Sequence, residues 1–460
     1  MTDTPTSTVV NSREPSRPGT PTALSTPPAT VAVTDKPQDD SSRLKLFLGL
    51  LRKFIGVPDM AAVRFSLPAQ LIEPIPNLEY WHYLDRPETF ISIGQSDSEL
   101  GRMLEVLRFW FTKDLKYVKG KPCKPYNSVL GEFFRCNWEL NADAGAFTDP
   151  AKAPPQAPAD PLDKSKQNLE QPVTLSYMTE QTSHHPPVSA YYMECPERGI
   201  VGYGYDQLSA KFTGTAVRVI AGNFNQGIYI KLEKTGEEYQ LTHPAANLSG
   251  LLKGSLYISV SDTCYITCPQ SKIKTILTYA EEGWLGRAQN KVFGVVFRYD
   301  PENDKYTRIK DVPDKDVLAK IDGCWQEQIF YWLAGDKKAE KDPSARNLLM
   351  DVSPLMPVPK LCPPEEEQLV NESRKFWKDL TAAIQEKRFA DANRIKQTIE
   401  QNQRDKAAER KAAGKPWAPR FFQEITDPEG RPHLNEEGKQ LMQGLQSKDF
   451  KLKEPEVTAA

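Results

Sequence analysis

The rhythm of apolar positions changes several times along the chain. Residues 1 to about 41 have none: the stretch is rich in Pro, Ser and Thr and carries no aromatic residue. Such a segment buries too little apolar surface to offset the entropy of ordering, so disorder is expected. In SRLKLFLGLLRKFIG, which follows, Leu44, Phe47, Leu48, Leu51 and Ile55 fall on one helical face. Lys45, Arg52 and Lys53 stand among them. Two readings are open for this helix. It packs on the domain behind it, or it is a mobile amphipathic cover able to touch a membrane surface.

Residues 96–116 predict a second helix, with Leu100, Met103, Leu104, Leu107, Trp110 and Phe111 as its apolar stripe. Ser96, Asp97 or Ser98 is placed to cap it. From about 129 to 325 the period shortens to that of strands. Runs such as VTLSYMTEQ, GIYIKLEK, SLYISVSD, CYITCPQ, KIKTILTYAEEGW, KVFGVVFRYD and KYTRIKDV are separated by turn residues, which predicts an antiparallel sandwich or barrel. An Ala/Pro/Asp-rich interruption at 141–167 reads as a flexible surface insertion. Beyond about 363 the helical period returns, in two helices of which the second ends at Gly414. After Arg420-Phe421-Phe422 a charged tail is expected from 426 to 460. No internal repeat indicates a solenoid or propeller.

Composition narrows the function classes. The chain has 460 residues, 39% apolar and 26% charged, with a formal net charge of −2, so bulk attraction to nucleic acid is not expected. The N-terminal MTDTPTSTVV has no secretory pattern, and no run reaches the roughly 18–20 apolar residues of a membrane span. A soluble chain with peripheral membrane contact is expected. Its seven cysteines are scattered, and Cys264 and Cys268 lack the C-x-x-C spacing. Reduced thiols in the cytosol are the simplest reading.

The candidate chemistry centres on EQTSHHPPVSA, residues 180–190, which holds two of only five histidines. Adjacent histidines on an extended segment face opposite ways, which argues against chelation of one ion. Catalysis has little support either, because no G-x-S-x-G elbow or Walker-type loop accompanies Ser183 and His184. An anion clamp is the third option: His184 and His185 offer ring nitrogens, and Pro186 and Pro187 restrict the backbone. A phosphate ester carries close to two charges, so further cations must converge on such a clamp. Two sets qualify. One is KPYNSVLGEFF, with Lys124 and Asn127 ahead of Gly131; the other is the late helix, with Lys396, Glu400 and Arg404 at i, i+4 and i+8. Alone, that triplet reads as a solvated face in which Glu400 pairs with both neighbours.

Together these three segments resemble the oxysterol-binding protein family of lipid carriers. EQTSHHPP (180–187) matches the family's E-Q-[VT]-S-H-H-P-P in full. KPYNSVLGE (124–132) is similar to K-P-x-N-P-x-L-G-E, with Ser128 in place of the usual proline. IKQTIEQNQRDKAAER carries the family's Lys, Glu and Arg at Lys396, Glu400 and Arg404. NLSGLLKGS (247–255), Gly323 to Trp325 and WAPRFF (417–422) extend the likeness over about residues 44–425.

The resemblance implies a mainly β fold with flanking helices, built on a large incomplete antiparallel β-barrel. The barrel would enclose a lipid tunnel, with an N-terminal lid over residues 44–66 and helices over 363–414. It implies no catalytic residue, no cofactor and no metal. Phosphatidylinositol 4-phosphate is the implied ligand, its phosphates held by Lys124, Asn127, His184, His185, Lys396 and Arg404, with Glu400 orienting the basic pair. The second lipid is sterol in some branches and phosphatidylserine in others. Leu67 to Pro74 is similar to the phosphatidylserine branch, and both remain open. A short member, essentially the lipid-binding domain alone, is expected. It would act as a monomer in the cytoplasm, peripherally at endoplasmic reticulum, Golgi and plasma membrane contacts, with a lipid sensor as the alternative. Phe421-Phe422-Gln423-Glu424 is similar to a receptor-binding motif, but as part of WAPRFF it reads as the end of the domain.

Overall fold

The structure is a computed structural model that describes residues 40–60, 69–119, 124–141, 172–251, 256–280, 290–424 and 430–453. The insertion read at 141–167 lies outside the described residues except for Asn141, as do Leu67, Pro68 and the stretch before Asp40.

Antiparallel strands dominate. They are β1 (Phe133–Asn141), β2 (Pro172–His184), β3 (Pro187–Cys195), β4 (Ile200–Asp206), β5 (Leu208–Phe212), β6 (Val217–Ala221), β7 (Ile228–Leu232) and β8 (Glu238–Leu241). There follow β9 (Ala245–Ser249), β10 (Tyr257–Cys268), β11 (Ile273–Tyr279), β12 (Lys291–Arg298), β13 (Val317–Cys324), β14 (Gln328–Leu333) and β15 (Asn347–Asp351). They form one sheet in the order β1-β2-β3-β4-β7-β8-β10-β11-β12-β13-β14-β15, while β5, β6 and β9 branch from the first half of β10. Strands β1 and β15 end that order, and among the described residues no ladder joins them. This is the expected large, unclosed antiparallel sheet.

Two strand assignments change. Tyr257–Asp262 of the first run SLYISVSD and Cys264–Cys268 of CYITCPQ are parts of the single strand β10, whose halves serve different ladders. KYTRIKDV is not a strand: residues 309–311 form a 3-10 turn. Tyr306, Ile309 and Val312 lie over the outer face of β11 and β12, and Lys274 Nζ donates to Asp304 and to Tyr306 O. Alternation there reflects docking on a sheet face without a ladder partner.

The helices preceding the sheet are α1 (Asp40–Leu51), α2 (Asn77–Tyr80), α3 (Pro87–Ile91), α4 (Glu99–Thr112) and α5 (Lys116–Lys119). Later come α6 (Lys337–Lys341), α7 (Ser373–Phe376), α8 (Lys378–Gln385), α9 (Phe389–Ala412) and α10 (Glu436–Ser447). Ser98 caps α4 by accepting from Gly101 N at 3.0 Å. The predicted stripe of α4 understates its burial, since every residue from Gly101 to Thr112 is inside. Its polar positions are matched within the core: Arg102 makes a bidentate pair with Glu237 at 2.6 and 2.8 Å.

The expected charged tail is also revised. Asn435 caps α10 through Gly438 N at 2.9 Å. Leu441, Met442 and Leu445 then pack with Phe133, Met178, Phe421 and Phe422. Residues 430–453 therefore belong to the folded domain.

Helix α1 also departs from its predicted face. It stops at Leu51 and tightens into a 3-10 turn at Arg52–Phe54, which breaks the 3.6-residue spacing. Leu51 is 1% exposed but Ile55 is 65% exposed, and Leu50 and Phe54 are the additional buried residues. Leu50 faces a cluster with Tyr126, Trp377 and Ala392, whereas Leu51 and Phe54 face Phe212, Val217 and Leu251. Phe47 touches both clusters and Leu48 the second. The Leu44 side chain lies outside the described residues.

Candidate functional site

The octapeptide Glu180–Pro187 spans the end of β2 and the start of β3. A bulge between Gln181 and Ser183 shifts the register, and His184 then faces Pro187 across a two-residue turn with a cis His185–Pro186 bond. Ser183 Oγ donates to Pro186 O at 2.8 Å and steadies the turn. The turn takes His185 out of the strand's alternation, so the rings of His184 and His185 lie side by side, their centroids 4.7 Å apart. The expectation that they face opposite ways is overturned. His184 is half-buried and His185 exposed. Among the described residues no group of three or more metal-ligating side chains is present.

The second segment is tied directly to the first. Gly131 N donates to Gln181 O at 3.0 Å, and Gln181 N donates to Glu132 O at 2.8 Å. This extends the β1–β2 ladder, so the loop carrying Lys124 and Asn127 emerges beside the histidine turn. Lys124 Nζ donates to Asn127 Oδ1 at 2.8 Å, and both side chains are exposed. Tyr126 between them is buried: it stacks on Trp377 at 4.8 Å and its hydroxyl meets Thr381 Oγ1 at 2.8 Å. The loop is thereby fixed to α8.

The third segment is α9, which follows α8 after a turn and ends at Gly414, whose φ of +63° is the left-handed value expected after a helix. Ala392, Ile395 and Ile399 face the same cluster as Tyr126 and Trp377. Lys396 is half-buried and donates to Glu400 at 2.9 Å. Arg404 bonds a different residue. Its exposed guanidinium donates to Gln401 Oε1 at 3.1 and 2.7 Å. The structure thus joins the lysine loop and histidine turn by backbone bonds, and brings α9 to them through the Tyr126–Trp377 cluster.

Sequence reasoning missed the residues that position these groups. Glu180, within the motif, is buried and accepts Arg420 N at 2.7 Å and Phe421 N at 2.9 Å. Glu132 is its counterpart just ahead of β1, accepting Ser373 Oγ at 2.7 Å and Val129 N at 3.0 Å. Burial pushes both carboxyls up to about 7, against the pull of these hydrogen bonds. Gly131 has φ +78°, and the Trp417 ring covers the place where a Cβ would stand. The letters of each motif mix exposed groups that can reach a ligand with buried groups that hold the backbone.

A further polar cluster lies in the core, assembled from distant parts of the chain. Tyr83 Oη donates to Asp206 at 2.6 Å, stacks on His243 at 5.5 Å and meets the Tyr191 ring at 5.5 Å. Lys113 Nζ lies 4.6 Å from the Trp110 ring and pairs with Asp114, which Lys116 also contacts at 3.2 Å. Burial raises Asp206 to about 7. Burial opposes the charge on Asp114 as well, but Lys113 and Lys116 hold it down at about 2. No local spacing signals this group, because only the fold brings positions 83, 113–116, 206 and 243 together.

Comparison with known proteins finds relatives along most of the chain. The family model described as oxysterol-binding protein matches residues 47–443, which reaches into α10. The chain is 40% identical over 488 aligned positions to oxysterol-binding protein-like protein 1 of Schizosaccharomyces pombe, covering 90% of this chain and 93% of that protein. It is 26% identical to human oxysterol-binding protein-related protein 11, covering 79% of this chain but 46% of that longer protein. Among solved structures, the Osh3 ORD from Saccharomyces cerevisiae in complex with PI(4)P has a TM-score of 0.60 at 18% identity, covering 88% of this chain and 93% of that one. The Osh1 ORD domain in complex with ergosterol has a TM-score of 0.56 at 18% identity, covering 85% and 86%. The open antiparallel sheet, the motif-bearing rim and the match across 47–443 lead to one conclusion: this chain is a member of the oxysterol-binding protein family.

Proposed function

We propose that this protein is a lipid transfer protein rather than an enzyme, binding phosphatidylinositol 4-phosphate and exchanging it between membranes for a second lipid, sterol or phosphatidylserine. The observation that carries the reading is the bonding of the Lys124–Asn127 loop to the His184–His185 turn through Gly131 and Gln181, with Lys396 on the helix packed behind. Two structural neighbours, solved with PI(4)P and with ergosterol, support both ligand classes.

In this reading Lys124, Asn127, His184, His185, Lys396 and Arg404 hold the phosphates, and Glu400 keeps Lys396 oriented. Charge-assisted hydrogen bonds select the phosphorylated headgroup. The acyl chains enter a tunnel within the sheet, where inward apolar side chains offset about 0.8 kcal/mol lost per CH₂ on leaving a bilayer. Helix α1 is the lid, and contact with membranes is peripheral, by a cytoplasmic monomer at membrane contact regions. No described helix is long and apolar enough to cross a membrane.

The test uses donor vesicles holding phosphatidylinositol 4-phosphate and acceptors holding either sterol or phosphatidylserine. Exchange in both directions by the wild type, lost in His184→Ala/His185→Ala, is the expected result, and the acceptor that works names the second lipid. Binding without transport would mean a sensor that sequesters the lipid. Chemically altered lipid would mean hydrolysis, and absence of binding would overturn the clamp.

A further inference from the structure

The segment 352–362 leaves β15 and crosses to β1, the opposite end of the sheet order. It is held at intervals: Arg86 Nη1 donates to Met356 O at 2.9 Å and Trp138 Nε1 donates to Val358 O at 3.3 Å. At its end Asn137 and Leu361 exchange both backbone hydrogen bonds, each 2.9 Å. That exchange makes 137–361 a hydrogen-bonded antiparallel pair, so Cys136 and Cys362 are the adjacent non-hydrogen-bonded pair. Facing Cα atoms in such a pair stand about 4.5 Å apart, within the span that a disulfide bridges. Both are free thiols. Cys136 is fully buried, whereas Cys362 is partly open to solvent.

We propose that Cys136 and Cys362 are an oxidisable pair whose disulfide locks the 352–362 segment onto β1 and fixes the seam between the two ends of the sheet. Cys362 is the attacking sulfur. The facing Cys136 thiol, as a donor, and the nearby charge of Arg374 favour its thiolate, while burial keeps Cys136 protonated. Arg374 and Lys360 both gather on Glu79, at 2.6 and 3.8 Å. With hydrogen peroxide as oxidant, the Cys362 thiolate attacks one oxygen, the O–O bond breaks, and the departing hydroxide takes up a proton as water. The Cys136 sulfur then attacks the Cys362 sulfenic acid, the S–O bond breaks, and a second water leaves with the Cys136 proton. Two thiols and one peroxide give one disulfide and two waters. In a reducing compartment such a pair serves as a transient sensor rather than a permanent staple.

The experiment treats the full chain with hydrogen peroxide, alkylates the remaining thiols after denaturation, and maps a non-reducing digest by mass spectrometry. The expected result is a peptide cross-link between Cys136 and Cys362, loss of two of the seven thiols, and full reversal by dithiothreitol. Hydrogen exchange at the Val358 and Leu361 amides should slow in the oxidised protein. Cys362→Ser, a conservative change at a partly exposed position, should remain folded and show neither effect. A Cys362 sulfinic acid without cross-link, or a cross-link to another cysteine, would overturn the pairing. A 136–362 cross-link with unchanged exchange at Val358 and Leu361 would overturn the lock.

Discussion

Glu180 accepts the backbone N–H groups of Arg420 and Phe421 through its two separate carboxylate oxygens, at 2.7 and 2.9 Å. The first residue of the family octapeptide therefore acts on the chain 240 residues later, closing the 417–422 segment over the root of the histidine turn. Replacing it by Gln keeps the shape but leaves one buried N–H facing an amide donor. Glu180→Gln should cost about 1–3 kcal/mol of stability, read as a lower urea midpoint with an unchanged slope. An unchanged midpoint would show that the contact is dispensable.

Buried carboxyls set an unusual pH response. Burial raises Glu105 to about 8, and Glu132, Glu180 and Asp206 to about 7, against roughly 4 in the unfolded chain. Between those limits the folded state binds more protons, so stability falls as pH rises from about 5 to 8. Asp114, held at about 2, acts in the other sense only in strong acid, and the buried neutral His82 and His243 offset part of the fall below about pH 6.5. Thermal unfolding should therefore occur at a higher temperature at pH 5.5 than at pH 8, with a smaller difference in Glu180→Gln. The opposite slope would contradict these assignments.

Gly131 joins the two motif strands under the Trp417 ring, where an added Cβ would come to 2.5 Å from a ring carbon. Its φ of +78° adds a backbone penalty of roughly 1–2 kcal/mol for any residue with a Cβ. Gly131→Ala should lower stability by more than that penalty alone. Trp417→Ala in the same chain should relieve the steric part, so that the double variant is more stable than the sum of the single effects. Strict additivity in chemical denaturation would rule out the contact.

On the headgroup assignment, Lys396→Ala and Arg404→Ala each remove a charge-assisted contact of about 1.5–3 kcal/mol. Either should weaken binding to vesicles containing phosphatidylinositol 4-phosphate by about tenfold to a hundredfold. Gln401→Ala should not weaken it, because Gln401 bonds the Arg404 guanidinium but carries no positive charge of its own. Equal losses in all three variants in a sedimentation assay would mean that α9 contributes structure alone.

The strand-rich centre and α4 were legible because their periods are local properties of the sequence. The single strand β10 reads as two runs parted at Thr263, whereas in the fold Ser261 and Asp262 mark the change from one ladder partner to another. The side-by-side histidines were hidden by a bulge and a turn that no alternation rule contains. Ile55 was assigned to the wrong face because α1 tightens after Leu51. The order of the three motifs was visible, but the ties between them were not. Glu180 to Phe421, Gly131 to Trp417 and Tyr126 to Trp377 all cross more than two hundred residues, and only tertiary packing chooses such partners.

Phe47 belongs at once to the cluster under α9 and to the one against β5, β6 and β9. Ile395 and Ile399, the neighbours of Lys396 on α9, belong to the cluster that Phe47 of α1 also joins. On the proposed assignment of Lys396 to the headgroup, its occupancy and the seating of α1 would be two readings of one equilibrium. By thermodynamic reciprocity, whatever a headgroup does to the seating of α1, that seating does in equal measure to the headgroup's affinity.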